Sequence, residues 1–188
     1  MPKVETFDRQ QVLEKVVQLF HEKGYNATSM QDLVDVTGLN RSSIYNSFGS
    51  KKELYQESLQ SYRSASQNMV QKILIRTSHS KSAIKKLFIL SPEQRKNGCF
   101  ISNCTAEMAN QDQQVKAFLQ NNLNHFQLLF AELVAKGQSE GTINTKKSPD
   151  EYALYLFTAM QGLRLTGILV NEQKDIEGIV NTTLSVLD

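Results

Sequence analysis

The side chains best equipped for chemistry crowd into one stretch of this 188-residue chain, Thr28 to Lys52, TSMQDLVDVTGLNRSSIYNSFGSKK. Thr28 and Ser29 head it, Arg41, Ser42, Ser43, Tyr45 and Asn46 follow, and Lys51 closes it. All are hydrogen-bond donors, and residues 39–52 contain no acid. Guanidinium, ammonium and hydroxyl donors suit phosphate oxygens, and an Asn amide can make two bonds to the edge of adenine. The chemistry on offer is recognition of a polyanion that carries readable edges.

Such a set works only on a rigid corner, and the apolar spacing predicts one. Counting Met30 as position 1, Leu33, Val34, Leu39 and Ile44 occupy positions 4, 5, 10 and 15. Ser29 and Asn40 are placed to cap two short helices, and Gly38 can take the positive φ of the turn between them. This is the pattern of a helix-turn-helix, whose second helix enters the DNA major groove. A bracing helix is expected over 8–23, with Asp8 as cap, the stripe Leu13, Val16, Val17 and Phe20, and Gly24 as stop. Ser50 and Glu53 predict a capping box that starts a long helix from Lys51 to about Arg76.

Further helices are expected at 80–90, ended by Ser91-Pro92-Glu93, and from the segment NGCFISNCTAEMANQ at 97–111. Others follow at 112–139, from Ser148-Pro149 to about Val170, and over 175–187. The fold class read from this is all-α, with about nine helices. Only 3 Pro and 9 Gly punctuate the chain, and 40% hydrophobic residues suffice for a core. No apolar run is long enough to span a membrane, and the polar N-terminus lacks a signal-like segment, so the expected location is cytoplasmic.

Other chemistries find little support. No nucleophile–base set, Gly-rich phosphate loop or metal-spaced cluster is present, and His21, His79 and His125 are scattered, so neither an enzyme nor a metal or cofactor is expected. Cys99 and Cys104 lie about 140° apart on a helix and should not pair. Cys99 reads either as a small buried hydrophobe or as a thiolate favoured by a helix N-terminus. The net charge of +2 hides a basic block at 64–96, with 7 basic residues against Glu93 alone, read as a solvated face.

Residues 8–56 resemble the N-terminal domain of the TetR family of transcriptional repressors. The resemblance is carried by Phe20, Gly24-Tyr25, Thr28-Ser29, Gly38-Leu39, Ile44-Tyr45, Phe48, Ser50-Lys51 and Glu53-Leu54. Asn46 and Gly49 depart from common family choices, His and Pro, which leaves operator preference open. The resemblance implies a DNA-binding domain at 1–50 and a ligand-binding and dimerisation domain at 51–188. Lys51, Tyr45, Thr28 and Arg41 would hold phosphates. Ser42, Ser43 and Asn46 would read bases, with Ser29 also at the interface.

It further implies a cavity for a small-molecule effector, with Tyr62, Cys99, Asn103, Phe126 and Met160 as candidate lining. A two-fold interface between C-terminal helices would use Phe157, Leu163, Gly167, Ile176, Val180 and Leu184. The implied function is a homodimeric repressor released from a pseudo-palindromic operator by its effector. The segment from Gly98 also resembles a motif of a subgroup with Cys-based electrophile sensors, which makes a Cys99 switch the alternative. A helical enzyme or an adaptor is the distant one.

Overall fold

Serine-led capping boxes set where three of the helices begin. In each, the Ser hydroxyl accepts the N–H of a carboxylate residue three positions on, and that carboxylate accepts the Ser N–H in return. The pairs are Ser29–Asp32, with the return bond at 2.8 Å, Ser50–Glu53 at 2.7 Å and Ser148–Glu151 at 3.0 Å. Asp8, Asn40 and Asp112 cap three more helices through side-chain oxygens.

The computed structural model describes residues 7–89 and 95–188. Among them are nine α-helices and no strand: α1 Arg9–Ala27, α2 Met30–Thr37, α3 Arg41–Phe48, α4 Lys51–Ile75, α5 Ser80–Phe88, α6 Phe100–Met108, α7 Gln113–Ser139, α8 Pro149–Thr166 and α9 Gln173–Leu184. A 3₁₀ turn, Ser185–Leu187, closes the chain. The expected break at Ser91-Pro92-Glu93 lies outside the described residues.

The two largest departures from the expected boundaries are at the ends of α1 and α8. Gly24 does interrupt α1, at φ +78°, but one more helical turn follows to Ala27. At the other end α8 stops at Thr166, four residues early. The Arg95 guanidinium takes the Val170 carbonyl at 2.7 Å, and the intervening residues form tight turns. Arg95 is itself buried, so the 64–96 block is a solvated face with one exception.

The hydrophobic cores do not divide at residue 50. One packs Phe20, Leu33, Ile44 and Phe48 against Leu54, Tyr55 and Leu59 of α4, together with Phe100, Ile101 and Met108 of α6 and Val115 of α7. The other joins Val70 of α4 to Ile84, Phe88, Phe130, Leu156, Ile176 and Leu187. Helix α4 therefore belongs to both.

The interface residues named from the sequence need correction. Leu163, Ile176, Val180 and Leu184 are buried in this chain's own second core, and Phe157 packs on Phe126 at 6.2 Å between ring centroids. Gly167 lies beneath Arg95. An amphipathic stripe shows that a helix has an inner face but not whose core it meets. The outer faces of α8, α9 and the turns after them instead expose Leu154, Tyr155, Leu165, Leu169, Ile179 and Val186.

The caps make stability depend on acid. Asp32 is held below the usual carboxylate range by Lys23 and then by Ser29, Glu53 and Glu151 by the N–H groups of Ser50 and Ser148, and Asp112 by Lys52. A carboxyl whose pKa is lower in the folded state stabilises above its unfolded value and loses that contribution as pH falls. Thermal melts should therefore show falling stability from about pH 5 downward. A D32N/E53Q/E151Q variant should start lower at neutral pH and lose less on acidification.

Candidate nucleic-acid interface and effector cavity

Helix α3 buries Ile44 and Phe48 and turns Arg41, Ser42, Tyr45 and Asn46 to solvent, with Ser43 and Ser47 half-buried at the flanks. Tyr45 is half exposed, although an aromatic side chain usually seeks cover. Arg9 fixes this helix from behind. It donates to the Ser47 carbonyl at 2.6 Å and to both Glu57 oxygens at 2.9 and 2.7 Å, and its guanidinium lies 4.2 Å from the Phe48 ring centroid. One side chain thus locks α1, α3 and α4 together. Sequence reading missed it, because nothing in an exposed polar helix face marks a long-range anchor.

The remaining nucleic-acid candidates divide. Ser29 is exposed, but its hydroxyl is occupied in the α2 capping box. Thr28 is corrected: it is buried and donates its hydroxyl to the Gly24 carbonyl at 2.6 Å, so its side chain closes the α1–α2 corner. Lys51 sits 4.4 Å above the Tyr25 ring. Partial burial lowers its pKa, against the attraction of Glu107 and Asp32. Lys52 points the other way and pairs with Asp112 at 2.6 Å, tying the first turn of α4 to the cap of α7.

Glu107 is the second residue that sequence reading passed over. Its carboxylate accepts the N–H of Tyr25 at 3.0 Å and of Asn26 at 2.7 Å, 82 and 81 positions away. It fills the space where a Cβ on Gly24 would stand, so both space and positive φ favour glycine there. Helix α6 thereby holds the corner that leads into α2. A lone acid in the otherwise uncharged segment 97–111 was the available signal.

The effector candidates fall in two groups. Tyr62 and Cys99 lie at the N-terminal end of α6, where Tyr62 packs edge-on against Phe100 and His21. Burial, and then the nearby Cys99 thiol, raises the Tyr62 pKa. Asn103 donates to the Asn97 carbonyl at 2.9 Å, shaping the turn before α6. Cys104 is buried and pushed up to about 11 by desolvation, an inert thiol. Both cysteines are free.

Phe126 and Met160, by contrast, line a cavity of about 250 Å³ between α4, α5, α7 and α8, with Ser66, Met69, Val70, Ile73, Lys86, Leu87, Ile89 and Arg164. Arg164 was not picked from the sequence, though it is the single charge between Tyr152 and Val170. No group of metal-binding side chains occurs among the described residues.

A three-helix head with a polar, acid-free outer helix, continuous through α4 with a helical domain that holds a cavity, defines a helix-turn-helix regulator. Residues 12–58 match the family profile described as bacterial regulatory proteins, tetR family, and residues 83–182 match the tetracyclin repressor-like C-terminal domain. The chain belongs to the TetR family of DNA-binding transcriptional regulators, and these are not enzymes.

Among its relatives, the HTH-type transcriptional regulator YezE of Bacillus subtilis (strain 168) is 27% identical, with 97% of each chain covered. The HTH-type transcriptional repressor ComR of Escherichia coli (strain K12) is 28% identical, covering 97% of this chain and 89% of that one. The fold is shared with a cysteine mutant of CifR, solved with 26-bp double-strand operator DNA. Its TM-score is 0.84 at 20% identity, covering 99% of this chain and 100% of that one.

Replacing Glu107 tests its hold on the corner. In Glu107→Ala, hydrogen exchange at the Tyr25 and Asn26 amides should rise at least about tenfold, the scale expected when a bond of about 1.4 kcal/mol to a charged acceptor is lost. Exchange within α7 should not change. Equal protection in both proteins would show that Glu107 does not hold the segment.

Proposed function

We propose that the chain is a repressor that binds a pseudo-palindromic operator as a homodimer and is released by a small molecule in the α4–α5–α7–α8 cavity. The observation that carries this reading is the exposed, acid-free face of α3, held rigidly by Arg9 and joined without a linker to the helix that lines the cavity. Two copies would place their α3 helices in successive major grooves. Arg41, Tyr45 and Lys51 would contact phosphates, and Ser42, Ser43 and Asn46 base edges. The exposed stripe of Leu154, Tyr155, Leu165 and Ile179 is the surface suited to a second copy.

Occupancy of the cavity would act through α4 and through the Glu107 clamp on the corner before α2. It would favour a state with misplaced heads, by as much as the effector's affinities for the two states differ. A DNA partner would put the protein in the cytoplasm; among the described residues no helix is long and apolar enough to cross a membrane. On this reading 1–50 would serve as the reading head and 51–188 as the effector and dimerisation part, while the core of the head extends into α4 and α6.

A mobility-shift assay on the DNA upstream of the protein's own gene tests this reading. Wild type should bind one site specifically. Lys51→Gln should weaken all sequences alike and reduce the salt slope by about 0.9 per contact removed, whereas Asn46→Ala should relax discrimination at one position by about 1–3 kcal/mol. Binding that is salt-sensitive but indifferent to sequence would sink it.

A second reading, a thiol switch, is favoured by the position of Cys99. It is only half-buried, precedes the first turn of α6 without making a cap hydrogen bond, and neighbours Tyr62, whereas Cys104 is sealed. On this reading N-ethylmaleimide should release wild-type protein from DNA and leave Cys99→Ser bound. Equal release of both would remove it.

A further inference from the structure

The walls of the 250 Å³ cavity are apolar apart from three groups, and none of the three is an acid. Arg164 carries a guanidinium, a planar cation with N–H donors only. Among the described residues it has neither a hydrogen bond nor an ion pair, although it is only partly exposed. The second cation, Lys86, donates to the neutral Thr77 hydroxyl at 3.0 Å and not to a carboxylate. The third group, the Ser66 hydroxyl, likewise has no partner among the described residues. Two positive charges and a hydroxyl thus border an apolar hollow, Arg164 half-buried and Lys86 exposed, and no carboxylate lines it among the described residues. The Arg164 guanidinium is partly withdrawn from water without a partner among the described residues, and an anion in the hollow would offset that cost.

The rest of the wall sets the ligand's body. Ile73, Phe126 and Met160 offer aliphatic, aromatic and thioether surface, and Met adapts to irregular shapes. The volume lies below the roughly 300–1,000 Å³ usual for drug-sized ligands. A cation would meet two like charges, and a sugar would leave its hydroxyls against Ile73 and Phe126. We propose that the cavity takes a small carboxylate with an apolar body, aromatic or short-chain aliphatic, its carboxylate on Arg164 and its body against Ile73, Phe126 and Met160.

The proposal rests on the reading of this cavity as the effector site and names what that site selects. Arg164 also acts on Tyr62, drawing its pKa down against burial and the Cys99 thiol, which raise it. An anion on Arg164 would change the field at the N-terminal end of α6, the helix whose other end holds Glu107.

Titration calorimetry on the full chain tests this with benzoate and the straight-chain carboxylates from butanoate to decanoate, each compared with its primary amide. At least one carboxylate should bind at least about tenfold more tightly than its amide. Arg164→Gln, checked for its fold by circular dichroism, should lose that preference while retaining the amide's affinity, and Arg164→Lys should keep part of it. The wild-type comparison decides even where a variant fails to fold. No binding by any carboxylate, amides as tight as acids, or a preference that survives in folded Arg164→Gln would each overturn the proposal. The titration uses no DNA, so its failure is separable from a failure of operator binding in the mobility-shift assay.

Discussion

The packing around Tyr55 is the contact on which the rest of the molecule depends. Its ring meets Phe20 at 4.9 Å, Tyr25 at 4.9 Å and Phe100 at 5.5 Å, so α1, the α1–α2 corner, α4 and α6 share one aromatic cluster. Edge-on and tilted pairs of this kind combine large buried area with a preferred geometry. Tyr55 lies near the start of α4, whose later turns reach the cavity at Ser66, Met69, Val70 and Ile73. Any shift of α4 is therefore felt by the reading head as a packing change, because close-packed interiors transmit displacement and do not absorb it.

Around this cluster the charged contacts give direction to the coupling. Glu107 draws the corner before α2 onto α6, Lys52 ties the start of α4 to the cap of α7, and Arg9 fixes α3 to α1 and α4. Each joins elements far apart in sequence, and the Glu107 and Arg9 contacts span the head and its support. Exposed ion pairs contribute little to stability, so their weight lies in orientation.

Much of the architecture was legible in the residues. The boundaries of α2 and α3, the caps at Ser29, Asn40, Ser50 and Ser148, and the turn at Gly38 follow from local rules that need no tertiary information. The outward placement of Arg41, Ser42, Tyr45 and Asn46 follows from helical periodicity. What escaped were choices between partners. Thr28 looks like a donor for phosphate until Gly24 leaves a carbonyl beneath it. Ile176, Val180 and Leu184 form a proper apolar stripe, but the stripe cannot say that it enters a core of the same chain shared with α5. Arg164 and Glu107 are visible as lone charges in apolar surroundings, yet only the fold shows that one lines a hollow without an ion pair among the described residues and the other caps a distant corner.

The shared core also decides how this protein could be recombined. Cutting after Gly49 would strip Phe20, Leu33 and Ile44 of Leu54, Tyr55, Leu59 and Phe100, and leave three helices without much of their core. A chimera that borrows this head must carry the first turns of α4 and a matching α6. Modules that look interchangeable in sequence are here grafted by a surface of side chains, so exchange between relatives succeeds as a repacking problem or fails.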